Sequence, residues 1–63
     1  MIEYIKTIAN KQSMLFIYNP QKLSEKLRLP IWEIEHRFNI LIDNNIVQTH
    51  SMKGFRNVYK ILA

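Results

Sequence analysis

Apolar and polar positions along the chain switch between a helical period and a strand period, and the switches divide it into six segments. From Ile2 to Leu15, apolar residues fall at Tyr4, Ile5, Ile8 and Leu15 with Ala9 beside them, while Lys6, Asn10 and Lys11 lie off that stripe, a pattern that predicts an amphipathic helix. Phe16, Ile17 and Tyr18 are a β-prone run closed by Asn19 and Pro20, which predicts a brief edge strand. Asn19 and Pro20 also open the next helix, as an N-cap acceptor followed by the imino acid that loses nothing at the first helical position. Leu23 and Leu27 give that helix one apolar face, and Leu29 sits in the connector. Pro30 is expected to start the third helix, with its φ already helical. Ile31, Ile34, Phe38, Leu41 and Ile42 then recur at helical spacing until Asn44 and Asn45, which tolerate the left-handed conformation that closes a helix.

Two β-prone segments follow, Val47 to His50 and Arg56 to Ile61, separated by Ser51, Met52, Lys53, Gly54 and Phe55. The only glycine stands where a hairpin loop needs a positive φ. Tyr59 and Ile61 share one face, and Val47 and Thr49 are their expected partners across the ladder. The reading is an α+β chain of three helices, a short strand and a C-terminal β-hairpin. With no linker, repeat or low-complexity segment, it forms a single domain over residues 1–63.

A chain of 63 residues buries only about 60% of its unfolded surface, so its stability should be modest. Apolar residues make up 48% and are spread along the sequence, which favours a packed core over disorder. No run approaches the roughly 18 apolar residues of a membrane span, and the N-terminal MIEYIKTIANK lacks the basic start and cleavage site of a signal peptide. A cytoplasmic location is expected, with no membrane partner. The absence of cysteine removes disulfides, thiolate metal sites and cysteine nucleophiles together. His36, His50 and Glu33 are too few for a closed metal site, and no serine stands beside a base, so neither an enzyme nor a cofactor or metal is expected.

The net charge of +4 favours an anionic partner. Its distribution says more. Residues 1–30 carry five basic and two acidic groups, residues 31–47 one and three, and residues 48–63 three and none. Positive potential therefore flanks the third helix, which is itself acidic.

The element order, the Leu29-Pro30 turn before the third helix and the Asn45-Ile46-Val47 step into the hairpin resemble the winged-helix (winged helix-turn-helix) DNA-binding superfamily over nearly the whole chain. Leu23, Leu27, Leu29, Ile34, Phe38, Leu41, Ile46, Val47, Tyr59 and Ile61 are similar to that family's core pattern. Asn45 stands where many winged helices carry glycine. The resemblance implies a small winged helix whose Pro30 to Asp43 helix reads the major groove of double-stranded DNA.

At 100° per residue, Ile34, Phe38 and Leu41 face the core, and Trp32, Glu33, His36, Asn39, Ile40 and Asp43 lie opposite. Asn39 could pair with adenine, Glu33 could accept from a cytosine amino group, His36 could donate or accept, and Ile40 could meet a thymine methyl. The competing reading is an ordinary solvated face, and Glu33 also suits the helix dipole without DNA. Trp32 either marks a partner or folds back toward Leu29 as core. The candidate phosphate ligands are Lys22, Lys26 and Arg28 on or after the preceding helix, Arg37 on the flank of the recognition helix, and Lys53, Arg56 and Asn57 in the wing. Met52 and Phe55 are either wedges at the wing tip or packing for the sheet. The expected function is DNA binding in transcription regulation or a recombination complex, in the nucleoid, by a homodimer contacting through the first helix. The rival is an interaction module whose helix 31–43 binds a protein.

Overall fold

The computed structural model describes residues 1–62, which follow one another as α1 (Ile2–Ile8), β1 (Leu15–Ile17), α2 (Pro20–Leu27), α3 (Ile31–Asp43), β2 (Val47–Thr49) and β3 (Val58–Ile61). Ala63, the last residue of the expected domain, lies outside the described residues. Three helices, one short strand and a C-terminal antiparallel hairpin make an α+β fold of winged-helix-like topology. The hairpin register pairs Val47 with Ile61 and Thr49 with Tyr59, as the alternation requires. β1 joins the far side of β3 in antiparallel register, Phe16 opposite Tyr59, so the sheet order is β1-β3-β2.

The helix boundaries follow local chemistry. Asn19 is extended, and its side chain accepts from the Lys22 N–H at 3.1 Å with Pro20 as the first helical residue. At the end of α3, Asn45 has φ 57°, its N–H donates to the Ile42 carbonyl at 3.0 Å, and the Ile46 N–H donates to the Leu41 carbonyl at 2.9 Å. These two bonds form a Schellman closure, with half-buried Ile46 and Leu41 as its apolar pair.

Four expectations need correction. The first helix ends at Ile8 and does not run to Leu15, because the Asn10 side chain accepts from the Gln12 and Ser13 N–H groups at 2.8 and 3.0 Å. This local turn outcompetes another helical turn, and Met14 at φ 61° completes the reversal into β1. Pro30 is the N-cap of α3, with ψ 153°, and its carbonyl accepts from Glu33 and Ile34. Ile31 is 44% exposed instead of buried: it shares the side of Phe38, seven residues on, but stands at the N-terminal end of the helix as its first residue. The strands are shorter or shifted: β1 begins at Leu15, while His50 and Arg56 fall in the hairpin loop.

Ile5, Ala9, Phe16, Leu23, Ile34, Phe38, Val47 and Ile61 form the core. Phe38 anchors it, stacked on Tyr18 with ring centroids 3.8 Å apart and meeting Tyr59 edge-on at 4.8 Å. The Tyr18 hydroxyl is buried without a hydrogen-bond partner. Burial, then the Glu35 carboxylate and Tyr59, push its ionisation above the ordinary tyrosine range. The neutral phenol is thus favoured in the fold, so stability present below about pH 10 falls as the unfolded chain ionises first. Tyr18→Phe should keep the stacking, remove the orphaned hydroxyl, raise unfolding free energy by about 1 kcal/mol and flatten that alkaline decline. Urea denaturation at neutral and alkaline pH measures both effects.

Candidate nucleic-acid interface

With Ile34 and Phe38 fixed in the core, Trp32, His36, Asn39 and Asp43 fall at i, i+4, i+7 and i+11 along the opposite side of α3, and all four are exposed. Trp32 is 69% exposed, so it does not fold back onto the connector, and Ile40 beside the stripe is 45% exposed. Two large apolar side chains on an otherwise polar helix face are a surface with something to bury. Glu33 is set apart from this stripe. It is half-buried on the helix flank, where its carboxylate lies 3.4 Å from the Arg37 guanidinium one turn on. This is the single ion pair among the described residues, and it leaves Arg37 partly neutralised.

The other cations carry no such partner among the described residues. Lys22 and Lys26 project from exposed positions on α2, and Arg28 follows at its end in a left-handed conformation, φ 57°. That turn is closed by the Leu29 N–H donating to the Ser24 carbonyl at 3.2 Å, while the Ser24 hydroxyl donates back to the Leu29 carbonyl. Lys53 and Arg56 are exposed in the β2–β3 loop. Asn57 has φ 58°, and its carbonyl accepts from the Tyr18 N–H at 2.8 Å, so its backbone joins the hairpin to the end of β1. An asparagine in that conformation is first a backbone device, and its exposed side chain is free to add a polar contact. His50, at the base of the loop, is half-buried and its N–H donates to the Val58 carbonyl at 2.9 Å.

Two features escape a linear reading. Glu35 sits on the boundary of the α3 stripe, close enough to Tyr18 to act on its phenol; its place on the helical wheel was the available signal. The second is a groove of about 600 Å³ between α1, β1 and the start of α2, with Tyr4, Ile8, Leu15, Ile17 and Lys22 in its walls. No α3 residue lines it. Ile8 and Ile17 are 46% and 58% exposed there. Because Ile61 donates to the Met14 carbonyl and Tyr18 to that of Asn57, Ile17 turns its own N–H and C=O away from β3, at the open edge of the sheet.

Among the described residues, no group of three or more His, Asp or Glu gathers in a way that could hold a metal ion, and no helix is long and apolar enough to cross a membrane. No family model, curated protein or solved structure matches the chain.

Proposed function

We propose that this chain binds double-stranded DNA as a small transcription regulator, with the exposed α3 stripe reading the major groove and the α2 and wing cations holding phosphates. The observation that carries this reading is the combination of a winged-helix-like fold with five exposed, unpaired cations placed before and after α3: Lys22, Lys26, Arg28, Lys53 and Arg56. In that division of labour, phosphate contacts supply affinity, and His36, Asn39, Trp32 and Ile40 supply selectivity. The longest dimension of the fold is 29 Å, short of the roughly 34 Å of one DNA turn. Two copies on paired half-sites would extend the contact, and the apolar α1–β1 groove with its open strand edge supports a homodimer through that side.

A second reading rests on α3 itself. Once Arg37 is paired with Glu33, the helix offers Glu35 and Asp43 but no free cation, beside exposed Trp32 and Ile40. That surface fits a protein partner with apolar and basic groups.

One titration separates the two. Fluorescence anisotropy of a labelled mixed-sequence duplex, with Trp32 emission as a second reporter, is expected to show log affinity falling linearly with log salt. Lys53→Ala and Arg56→Ala should each reduce that slope by about one. Saturation at two chains per site supports the dimer. No binding at low salt would sink the DNA reading and leave the protein-partner reading standing.

A further inference from the structure

The tip of the β2–β3 loop is built differently from a solvated turn. Met52 and Phe55 face each other across an isolated antiparallel bridge, and the Phe55 N–H donates to the Met52 carbonyl at 3.1 Å. Gly54, at φ 82°, supplies the positive φ that this four-residue turn needs at its third position. A Cβ at Gly54 would meet nothing within 4 Å, so the turn stands out into open space. Residues directly opposed in an antiparallel pair project from the same face, which puts the methionine and phenylalanine side chains together. They are 46% and 58% exposed and belong to no part of the core.

A lone exposed apolar side chain calls for no explanation. Two held side by side on a protruding turn are a different case, because serine, threonine or asparagine would make the turn equally well without presenting apolar surface to water. Their surroundings point to the occupant. Lys53 lies within the turn and Arg56 directly follows it, both exposed, and residues 48–63 contain no acidic side chain. An apolar pair framed by cations and free of carboxylates complements a surface whose rim is anionic and whose stacked apolar faces become accessible when one step between them opens. The minor groove of duplex DNA, with phosphates along both edges and base steps between them, has that character.

Resting on the DNA-binding reading, we infer that the wing tip is a wedge. Lys53 and Arg56 hold the phosphates on the groove edges, Phe55 enters between two stacked base pairs, and Met52 fills the widened groove beside it. Partial unstacking kinks the duplex toward its major groove, away from the wing, and opens the minor groove around the two side chains. Pyrimidine–purine steps unstack most readily, so the wedge gives selectivity for TpA and CpA steps without a base-specific hydrogen bond. The chain is then an architectural DNA bender as well as a groove reader.

The test uses the full chain and end-labelled duplexes of about 30 base pairs carrying either one central TpA step or an uninterrupted A-tract, with 2-aminopurine beside the step. Wild type is expected to raise energy transfer between the duplex ends and brighten 2-aminopurine on the TpA duplex. It should also prefer that duplex over the A-tract by about tenfold. The Met52→Ala, Phe55→Ala double variant should lose the bend, the brightening and the preference while keeping its salt-dependent binding. Phe55→Leu should retain part of each signal. Both side chains lie outside the core, and an unchanged thermal melt would confirm that the variants fold. Salt-dependent binding by wild type with neither bend nor brightening would overturn the wedge and leave the DNA reading intact. An undiminished bend in the double variant would overturn it as well. No binding to either duplex at low salt would overturn both.

Discussion

Phe38→Ala should lower the unfolding free energy by about 3–5 kcal/mol, the largest loss expected of any single truncation in this core. Phe38 is 2% exposed, stacked on Tyr18 and edge-on to both Tyr59 and Phe16, so its removal breaks contacts from α3 to β1 and to β3 at one point. Truncating a buried phenylalanine costs about 3–5 kcal/mol through lost burial and the cavity left behind. A chain of 63 residues has about 3–9 kcal/mol to lose, at roughly 0.05–0.15 kcal/mol per residue. The deletion therefore consumes between about a third and all of it. Ile40→Ala, on the exposed side of the same helix, should change stability by less than about 1 kcal/mol. Urea denaturation followed by circular dichroism measures both. A Phe38→Ala midpoint near that of wild type would contradict the placement of the α3 face, and with it the assignment of Trp32, His36, Asn39 and Asp43 to the outside.

That face was legible in the sequence because α3 is long enough for its period to be unambiguous, and its ends are marked by Pro30 and by the two asparagines. The hairpin register was legible for a related reason. Val47, Thr49, Tyr59 and Ile61 alternate, and a slip by one residue would expose the apolar set. Where the signal was a competition between local bonds, the period misled. Leu15 continues the apolar spacing of α1, yet Asn10 ends the helix through side-chain acceptance that periodicity does not encode. The place of β1 beside β3 was not readable either, since three residues carry no information about which edge they join. At the candidate site, the flanking of α3 by two basic groups is a property of chain order and could be read directly. The pairing of Glu33 with Arg37 is an i,i+4 contact that the spacing allowed. The exposure of Trp32 had two readings until the path of the connector placed it, because a tryptophan next to a turn can close either way.

Neutralising the α2 cluster tests the division between affinity and selectivity most severely. Lys22→Ala, Lys26→Ala and Arg28→Gly together remove three of the five exposed, unpaired cations proposed to hold phosphates. Glycine is the appropriate replacement at Arg28, because φ there is 57° and alanine would strain the turn that sets the angle between α2 and α3. The Asn19 cap survives, since it uses the Lys22 backbone N–H and not the side chain. If each cation neutralises one phosphate, each contributes about 0.9 to the salt slope, equivalent to about eightfold in affinity at 0.1 M salt. The triple variant should then bind duplex DNA about 500-fold more weakly at that salt, with a slope shallower by about 2.7 and an unchanged ranking of DNA sequences. His36→Ala and Asn39→Ala should do the reverse, altering the ranking while leaving the slope in place. Glu33→Gln should strengthen binding, because it removes a carboxylate from α3 and releases Arg37. Competition binding against a pool of duplexes at several salt concentrations reads all three. A triple variant that keeps wild-type affinity and slope would show that α2 does not lie on the phosphates, and α3 would then have to be sought on a protein partner instead.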